Sequence, residues 1–262
     1  MNTVMNDFYG FQTVPFSKDI PAEKTFQSDT YQNAMGMLSF GIEKEDLLLL
    51  TGEVGIGKSV VLRSFLEQID PRRFVPVYVR GPSLTAGELY KSILSGLYID
   101  PPYTKTQAKL IYFKKIPESK KKPIVIIDDA QEMMDSAFLE LKSLINFELD
   151  SMNYITIILT GQPELLMRIK MDHFRALRGR IRLSVSMQPL TCEETARYID
   201  YQIKLAGNQT EIFSESAKAE VFQISQGCPR AINTICHNSL LKGSLAKKAV
   251  IDSSDICKPV FM

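Results

Sequence analysis

The chain has 262 residues, of which 45% are hydrophobic and 23% charged, a composition typical of a globular protein with one large domain or a large and a small one. Its formal net charge of +1 gives no whole-chain signal for nucleic-acid binding, so any such partner has to be argued from local patches. The longest apolar runs, Leu47–Leu50 and Ile155–Leu159, are far shorter than the roughly 20 residues that span a bilayer, and the first ten residues lack a signal-peptide pattern. We therefore expect a soluble, cytoplasmic protein without a membrane partner.

Residues 6–30 are rich in aromatic side chains and interrupted by prolines, without helical or strand periodicity. Such a segment is predicted to form an irregular arm that packs on a neighbouring surface. A helix is predicted after it, from Tyr31 to Ile42.

The apolar run Leu47–Leu50 predicts a buried strand, and an amphipathic helix is predicted from Lys58 to Ile69. The loop between them matches Gly-x4-Gly-Lys-Ser at every fixed position. Its glycines let successive backbone N–H groups point inward around an anion, at the positive end of the following helix. This predicts a P-loop that binds ATP through Gly52, Glu53, Val54, Gly55, Ile56, Gly57, Lys58, Ser59 and Val60.

Two residues of the P-loop have specific predicted roles. Lys58 would reach the β- and γ-phosphates, and the Ser59 hydroxyl would hold Mg²⁺. A bound nucleotide also gives the aromatic arm two interpretations, since its rings could line the adenine pocket or form a hydrophobic strap.

A second strand is predicted over Phe74–Val79, and the spacing of Thr85 and Glu88 predicts a capping box for the next helix, with Lys91 outside its apolar face. Residues 105–122 then carry seven lysines and one acid, Glu118, an excess of six positive charges. Such a run is either a solvated face or a contact with a nucleic-acid backbone, in which each lysine acts as a counterion for phosphate.

A third strand is predicted over the apolar stretch that begins at Ile124, and it ends in Asp128 and Asp129. An acid at the carboxyl end of such a strand lies beside the crevice in which ligands of open α/β sheets bind. We therefore assign Asp128 to Mg²⁺, through water. Asp129 is assigned as the general base that orients and deprotonates the attacking water.

A helix around Ser136–Leu149 and a strand over Tyr154–Leu159 follow, and Thr160 stands at the tip of that strand. Thr160 is a candidate for a hydrogen bond to the γ-phosphate or the attacking water, with Gln162 behind it.

Residues 168–182 carry a net excess of five positive charges, mostly arginines, which favours bidentate recognition of phosphate or carboxylate. Arg178 and Arg180 are candidates for an arginine finger that reaches the ATP of a neighbouring subunit. A last strand is predicted over Ile181–Val185.

From Pro189 the pattern changes to short helices that predict a small helical lid. The first has a capping box from Thr191 to Glu194 and runs to Gly207, the second spans about Glu215–Ser225, and the third begins at Gly227-Cys228-Pro229-Arg230. Arg230 is a candidate phosphate contact.

The four cysteines all lie in the last third of the chain, without Cys-x-x-Cys spacing, which favours reduced thiols. Cys236 and His237 are adjacent, but the chain has only one other histidine, so no structural metal is predicted.

In this order the motifs resemble those of an AAA+ ATPase, with Walker A at 52–59, Walker B at 124–129, sensor 1 at Thr160, finger arginines at 178 and 180, and sensor 2 at Gly227-x-Pro229-Arg230. The implied fold is an α/β P-loop NTPase with a parallel five-stranded sheet sandwiched by helices, followed by a small all-helical lid. The predicted divisions are an arm over 1–30, the nucleotide-binding domain over 31–188, the lid over 189–256 and a tail over 257–262.

More narrowly, the chain resembles the ExeA-type branch, which holds secretion-pathway ATPases and the ATPase partners of transposases of the TnsC, TniB and Mu B-protein kind. The stretches that carry this resemblance are Phe8-Tyr9-Gly10-Phe11, Pro15-Phe16, Asp128-Asp129-Ala130-Gln131, Gly161-Gln162-Pro163-Glu164-Leu165, Arg180-Ile181 and Gly227-x-Pro229-Arg230-x-Ile232-Asn233. Asp129 departs from the pattern, because the family commonly has Glu there. Its carboxylate is one methylene shorter, which is compatible with slow hydrolysis, or Glu132 would substitute for it.

Secretion ATPases of this branch carry a membrane span and a cell-wall-binding segment after the ATPase module, whereas this chain ends at Met262 with neither. We therefore expect the transposition type, whose members assemble with ATP as rings or filaments on double-stranded DNA, recruit a transposase and disassemble on hydrolysis. Lys91, Lys105 and Lys109 are the candidate DNA contacts. Two alternatives stay open: a secretion-accessory or remodelling ATPase that does not bind DNA, and a nucleotide-gated scaffold with negligible turnover.

Overall fold

The computed structural model describes residues 2–17, 21–148 and 152–258. These residues form two compact units. The sheet unit comprises the described residues within 33–54 and 61–187, and the helical unit comprises those within 1–32, 55–60 and 188–262. Within the described ranges, no helix has the length and apolar character that crossing a membrane requires.

The sheet unit is built on five parallel strands in the order β2-β3-β4-β1-β5, which confirms the predicted parallel five-stranded fold. The central strands β1 and β4 are buried along their whole length, and β3 along most of it, as expected for a sheet covered on both faces. The edge strands β2 and β5 have mixed burial patterns. The strands are β1 (Leu47–Thr51), β2 (Phe74–Arg80), β3 (Lys122–Asp128), β4 (Thr156–Gly161) and β5 (Leu183–Ser186).

Helices connect the strands, and their starts follow local sequence chemistry. The capping box predicted at Thr85 is confirmed, because its hydroxyl accepts from the Glu88 N–H and the Glu88 carboxylate accepts from the Thr85 N–H at 2.9 Å. The helix predicted over Ser136–Leu149 begins at Asp135 and ends at Leu144, and Leu149 lies outside the described residues. The helices up to β5 are α1 (Asn2–Tyr9), α2 (Asp29–Lys44), α3 (Lys58–Gln68), α4 (Ala86–Gly96), α5 (Lys105–Lys115), α6 (Asp135–Leu144), α7 (Pro163–Lys170) and α8 (Arg175–Arg178).

The helical unit contains the three predicted helices, observed as α9 (Cys192–Leu205), α10 (Glu215–Ser225) and α11 (Pro229–Leu245). The second predicted capping box is also confirmed, since Thr191 and Glu194 bond each other's backbone N–H groups. Pro229 occupies the first turn of α11, where its missing N–H would have had no helical partner.

The N-terminal segment corrects the prediction of an irregular arm over residues 1–30, because Asn2–Tyr9 is helical. Met5 and Tyr9 are one turn apart and both are buried in the core of the helical unit, together with Phe11 and Phe16. Packing against α11 supplies the stability that such a short helix lacks in isolation. The rings of Tyr9, Phe11 and Phe16 thus pack inside this unit, whereas Phe8 is exposed. Of the predicted tail 257–262, residues 259–262 lie outside the described residues.

Candidate functional site

Within the sheet unit, the carboxyl ends of the central strands meet at one edge of the sheet. The register pairs Ile127 with Leu159 and Leu50 with Thr160, so that Asp128 and Thr160 follow at the same level. Ligands of open α/β sheets bind outside this edge. It is therefore the candidate functional site of the sheet unit.

Asp128 is held by the edge strand β2. The Tyr78 hydroxyl donates to Asp128 Oδ2 at 2.7 Å, and the Asp129 N–H donates to Asp128 Oδ1 at 3.1 Å. Partial burial and the neighbouring Asp128 carboxylate raise the pKa of Tyr78 to about 12, so the hydroxyl stays a donor at neutral pH. Sequence reasoning missed Tyr78, because the pairing of β2 with β3 was needed to find it.

Asp129 lies directly after β3 with a positive φ of 50°. Asp and Asn adopt this left-handed conformation more readily than other residues that have a side chain. The Asp129 Oδ1 accepts a hydrogen bond from the Gln131 side-chain amide at 3.3 Å. Gln131 is a second residue that sequence reasoning did not single out as functional.

Thr160 has an unsatisfied hydroxyl. Its side chain is fully buried, and within the described part of the chain Oγ1 has no hydrogen-bond partner. A buried hydroxyl without a partner costs about 1–3 kcal/mol. A buried hydroxyl without a partner is expected at the ligand edge of the sheet if a bound ligand supplies the missing hydrogen bond.

The P-loop residues 55–60 belong to the helical unit, and α3 begins at Lys58 as predicted. Gly55 and Gly57 have φ values of +83° and +108°, which favour glycine. The Gly55 carbonyl accepts from the Arg230 N–H at 3.3 Å, and a Cβ on Gly55 would lie 2.7 Å from the Cβ of Arg230. The first turn of α11 thus lies against the P-loop, and Arg230 is close to it through its backbone.

The arginines of residues 168–182 differ in exposure and in their hydrogen-bond partners. Arg168 is 12% exposed at its side chain, and it donates to the carbonyls of Ala130 and Gln131 and to Asp135. Arg168 is therefore bonded within its own chain. Arg178 is exposed and donates to the Lys170 carbonyl at 2.9 Å, while Arg180 is partly exposed.

The three lysines predicted to contact DNA all have partners in the sheet unit. Lys105 and Lys109 both pair with Glu140. Burial raises the pKa of Glu140, but the hydrogen bonds from Lys109, Lys105 and Tyr90 outweigh it and lower this pKa to about 2. Lys91 donates to the Tyr103 carbonyl at 2.6 Å. A DNA phosphate would have to compete with these contacts.

Comparison with known proteins identifies the fold. Residues 42–169 match the family described as AAA domain. Over 94% of this chain, the structure resembles Cdc6p from Pyrobaculum aerophilum, with a TM-score of 0.66, 18% identity and coverage of 68% of that chain. The fold is that of an AAA+ P-loop NTPase. The structure is also similar to the Walker-type ATPase of Pyrococcus abyssi, with a TM-score of 0.63, 20% identity and coverage of 89% of this chain and 73% of that one.

One curated relative is similar over most of the chain. General secretion pathway protein A from Aeromonas hydrophila is 30% identical over 242 residues, which are 89% of this chain and 44% of the relative. The chain thus spans less than half the length of the relative it matches. Together with the match to the AAA domain, this similarity agrees with the predicted resemblance to the ExeA-type branch. It does not bear on the resemblance to transposition regulators, which stays a prediction.

Each unit contains residues whose chemistry fits a nucleotide with Mg²⁺. In the helical unit, the glycines at 55 and 57 have backbone conformations suited to curling around an anion, and Ser59 has a hydroxyl oxygen. In the sheet unit, the Thr160 hydroxyl lacks a partner among the described residues, and Asp128 has a carboxylate. Oxygen atoms are the donors that Mg²⁺ prefers.

Proposed function

We propose that this chain is a molecular switch that binds ATP with Mg²⁺, hydrolyses it and self-associates in the ATP-bound state. The observation that carries the proposal is the complete Gly-x4-Gly-Lys-Ser loop between a buried parallel strand and the helix that begins at its lysine. Bound Mg²⁺ would neutralise phosphate charge and orient the β- and γ-phosphates.

The predicted catalytic and metal-binding residues each have a proposed role in this switch. Lys58 pairs with the β- and γ-phosphates, Ser59 holds Mg²⁺, and Asp128 holds it through water. Asp129 accepts a proton from the attacking water. The Thr160 hydroxyl donates to the γ-phosphate or that water. Arg230 contributes positive charge to the phosphates, while Arg178 or Arg180 serves a neighbouring copy as a finger, which makes turnover depend on self-association.

Purified protein is expected to release phosphate from ATP in a Mg²⁺-dependent manner and to form larger assemblies with ATP than with ADP. Phosphate release and light scattering, measured on the same samples with ATP, ADP or no nucleotide, check both properties. Omission of Mg²⁺ provides the control for the chemistry. The same particle size in all three states, or no Mg²⁺-dependent release, would contradict the proposal.

Two kinds of molecule are candidates for the partner on which this switch acts. The 30% identity to a general secretion pathway protein favours a secretion-accessory ATPase that acts on protein. The second candidate is double-stranded DNA presented to a transposase. It is favoured by the exposed lysines that follow the Glu140 pairs, namely Lys114, Lys120 and Lys121, whereas the exposed Lys115 is paired with Glu118 at 2.8 Å. Lys122 does not add to this surface, because it donates to the Ile42 carbonyl at 2.8 Å and burial lowers its pKa to about 8.

For the DNA candidate, we expect a gel shift with ATP that weakens steeply between low and physiological salt, since each phosphate contact releases a counterion. A triple variant that replaces Lys114, Lys120 and Lys121 by Glu should lose the shift. Lys204→Glu, at an exposed position on α9, is the matched control. If no nucleotide produced a gel shift at low salt, double-stranded DNA would be excluded as the partner.

A further inference from the structure

The side chain of Gln131 connects the ends of two strands within the sheet unit. Its Nε2 donates to Asp129 Oδ1 at 3.3 Å, and its Oε1 accepts from the backbone N–H of Gln162 at 3.2 Å. Asp129 directly follows β3, and Gln162 directly follows β4. One amide thus joins the proposed general base to the backbone beyond the neighbouring strand.

The chemistry of the two partners fixes the orientation of the Gln131 amide. A backbone N–H can only donate, so it requires the amide oxygen, and an ionised carboxylate can only accept, so it requires the amide NH₂ group. A flipped amide would place two donors together at Gln162 and two acceptors together at Asp129. The Gln162 N–H therefore directs the Gln131 donor towards Asp129.

The surrounding residues hold Gln131 in this position. Arg168 donates to the Gln131 carbonyl at 3.0 Å, and its guanidinium lies 4.5 Å from the centre of the Phe138 ring. At Gly161 a Cβ would collide with Gln131 Oε1, so the absence of a side chain there leaves room for the amide. The backbone of Gln131 is thus held from α7 while its side chain reaches from one strand end to the next.

The bond matters because Asp129 has a short side chain on a left-handed backbone. A general base works only when its carboxylate lies within hydrogen-bond reach of the proton it removes, and small errors in position lower the rate strongly. We propose that Gln131 is a positioning residue that holds the Asp129 carboxylate in the orientation for proton abstraction. This inference rests on the proposed ATP hydrolysis.

Two variants separate positioning of the carboxylate from a purely structural connection between the strands. Gln131→Ala removes both bonds. Gln131→Glu has nearly the same shape and keeps an oxygen for the Gln162 N–H, but it places a second carboxylate against Asp129 in place of the donor. A residue that only connected the strands would tolerate Glu and not Ala, whereas a positioning residue tolerates neither.

The experiment measures kcat and KM for ATP of the parent and both variants, together with their free energy of unfolding. We expect kcat to fall about tenfold or more in both variants, with KM within twofold of the parent because Gln131 lies outside the P-loop. Gln107→Ala, at an exposed position on α5, is the control and should match the parent.

Three results would overturn the inference: a kcat of Gln131→Glu within twofold of the parent, a change confined to KM, or a loss of kcat that only follows the unfolded fraction. If the parent hydrolyses ATP and the variants match it, the positioning role of Gln131 is refuted while the proposed function stands. A parent without turnover would overturn the proposed function and this role together.

Discussion

Lys58→Ala is expected to lower ATP hydrolysis by on the order of 100-fold or more and to abolish ATP-dependent assembly. Lys58 opens α3 directly after the glycine-rich loop, where its ammonium adds to the positive end of the helix. When an enzyme loses a fixed positive group that stabilises charge developing in the transition state, its rate constant falls by a factor of this order. Phosphate release, binding of a fluorescent ATP analogue and light scattering measure the three consequences.

The control for this variant is Lys204→Ala, which removes an exposed lysine from α9 and should leave hydrolysis and assembly unchanged. Thermal unfolding of both variants without nucleotide shows whether the fold is kept. A Lys58→Ala protein that binds ATP and self-associates as well as the parent would refute the central role of the loop.

Local sequence signals predicted most of the architecture. The apolar runs at Leu47, Ile124 and Ile155 have the length and composition of strands buried on both faces, and they form the centre of the sheet. The capping boxes at Thr85 and Thr191 depend only on residues three positions apart, and both helices begin where these boxes predict.

Features that depend on distant residues could not be predicted in this way. Helix α1 is too short to form alone, and its stability depends on packing against α11, more than 200 residues later in the chain. Tyr78 reaches Asp128 only because β2 lies beside β3. Lys105 and Lys109 belong to a strongly basic stretch, yet Glu140 on a different helix neutralises much of their charge.

Asp129→Asn is expected to lower kcat for ATP hydrolysis by on the order of 100-fold or more, with KM nearly unchanged. Asn has the same size and tolerates the left-handed backbone at this position as well as Asp does, so the substitution removes the base and little else. General-base catalysis contributes roughly 10²- to 10⁴-fold. Asp172→Asn, at an exposed position, is the matched control, and steady-state kinetics of phosphate release provide the measurement.

Asp129→Glu tests whether the short carboxylate limits turnover. A Glu would bring the longer side chain that the family commonly has, but at a φ of 50° it costs about 1–2 kcal/mol of backbone strain. The longer side chain would also move the carboxylate away from the Gln131 amide, which lies 3.3 Å from Asp129 Oδ1. We therefore expect kcat of Asp129→Glu to be no higher than that of the parent. A several-fold increase would instead mean that the loop accepts Glu and that the length of Asp129 sets the rate of the switch.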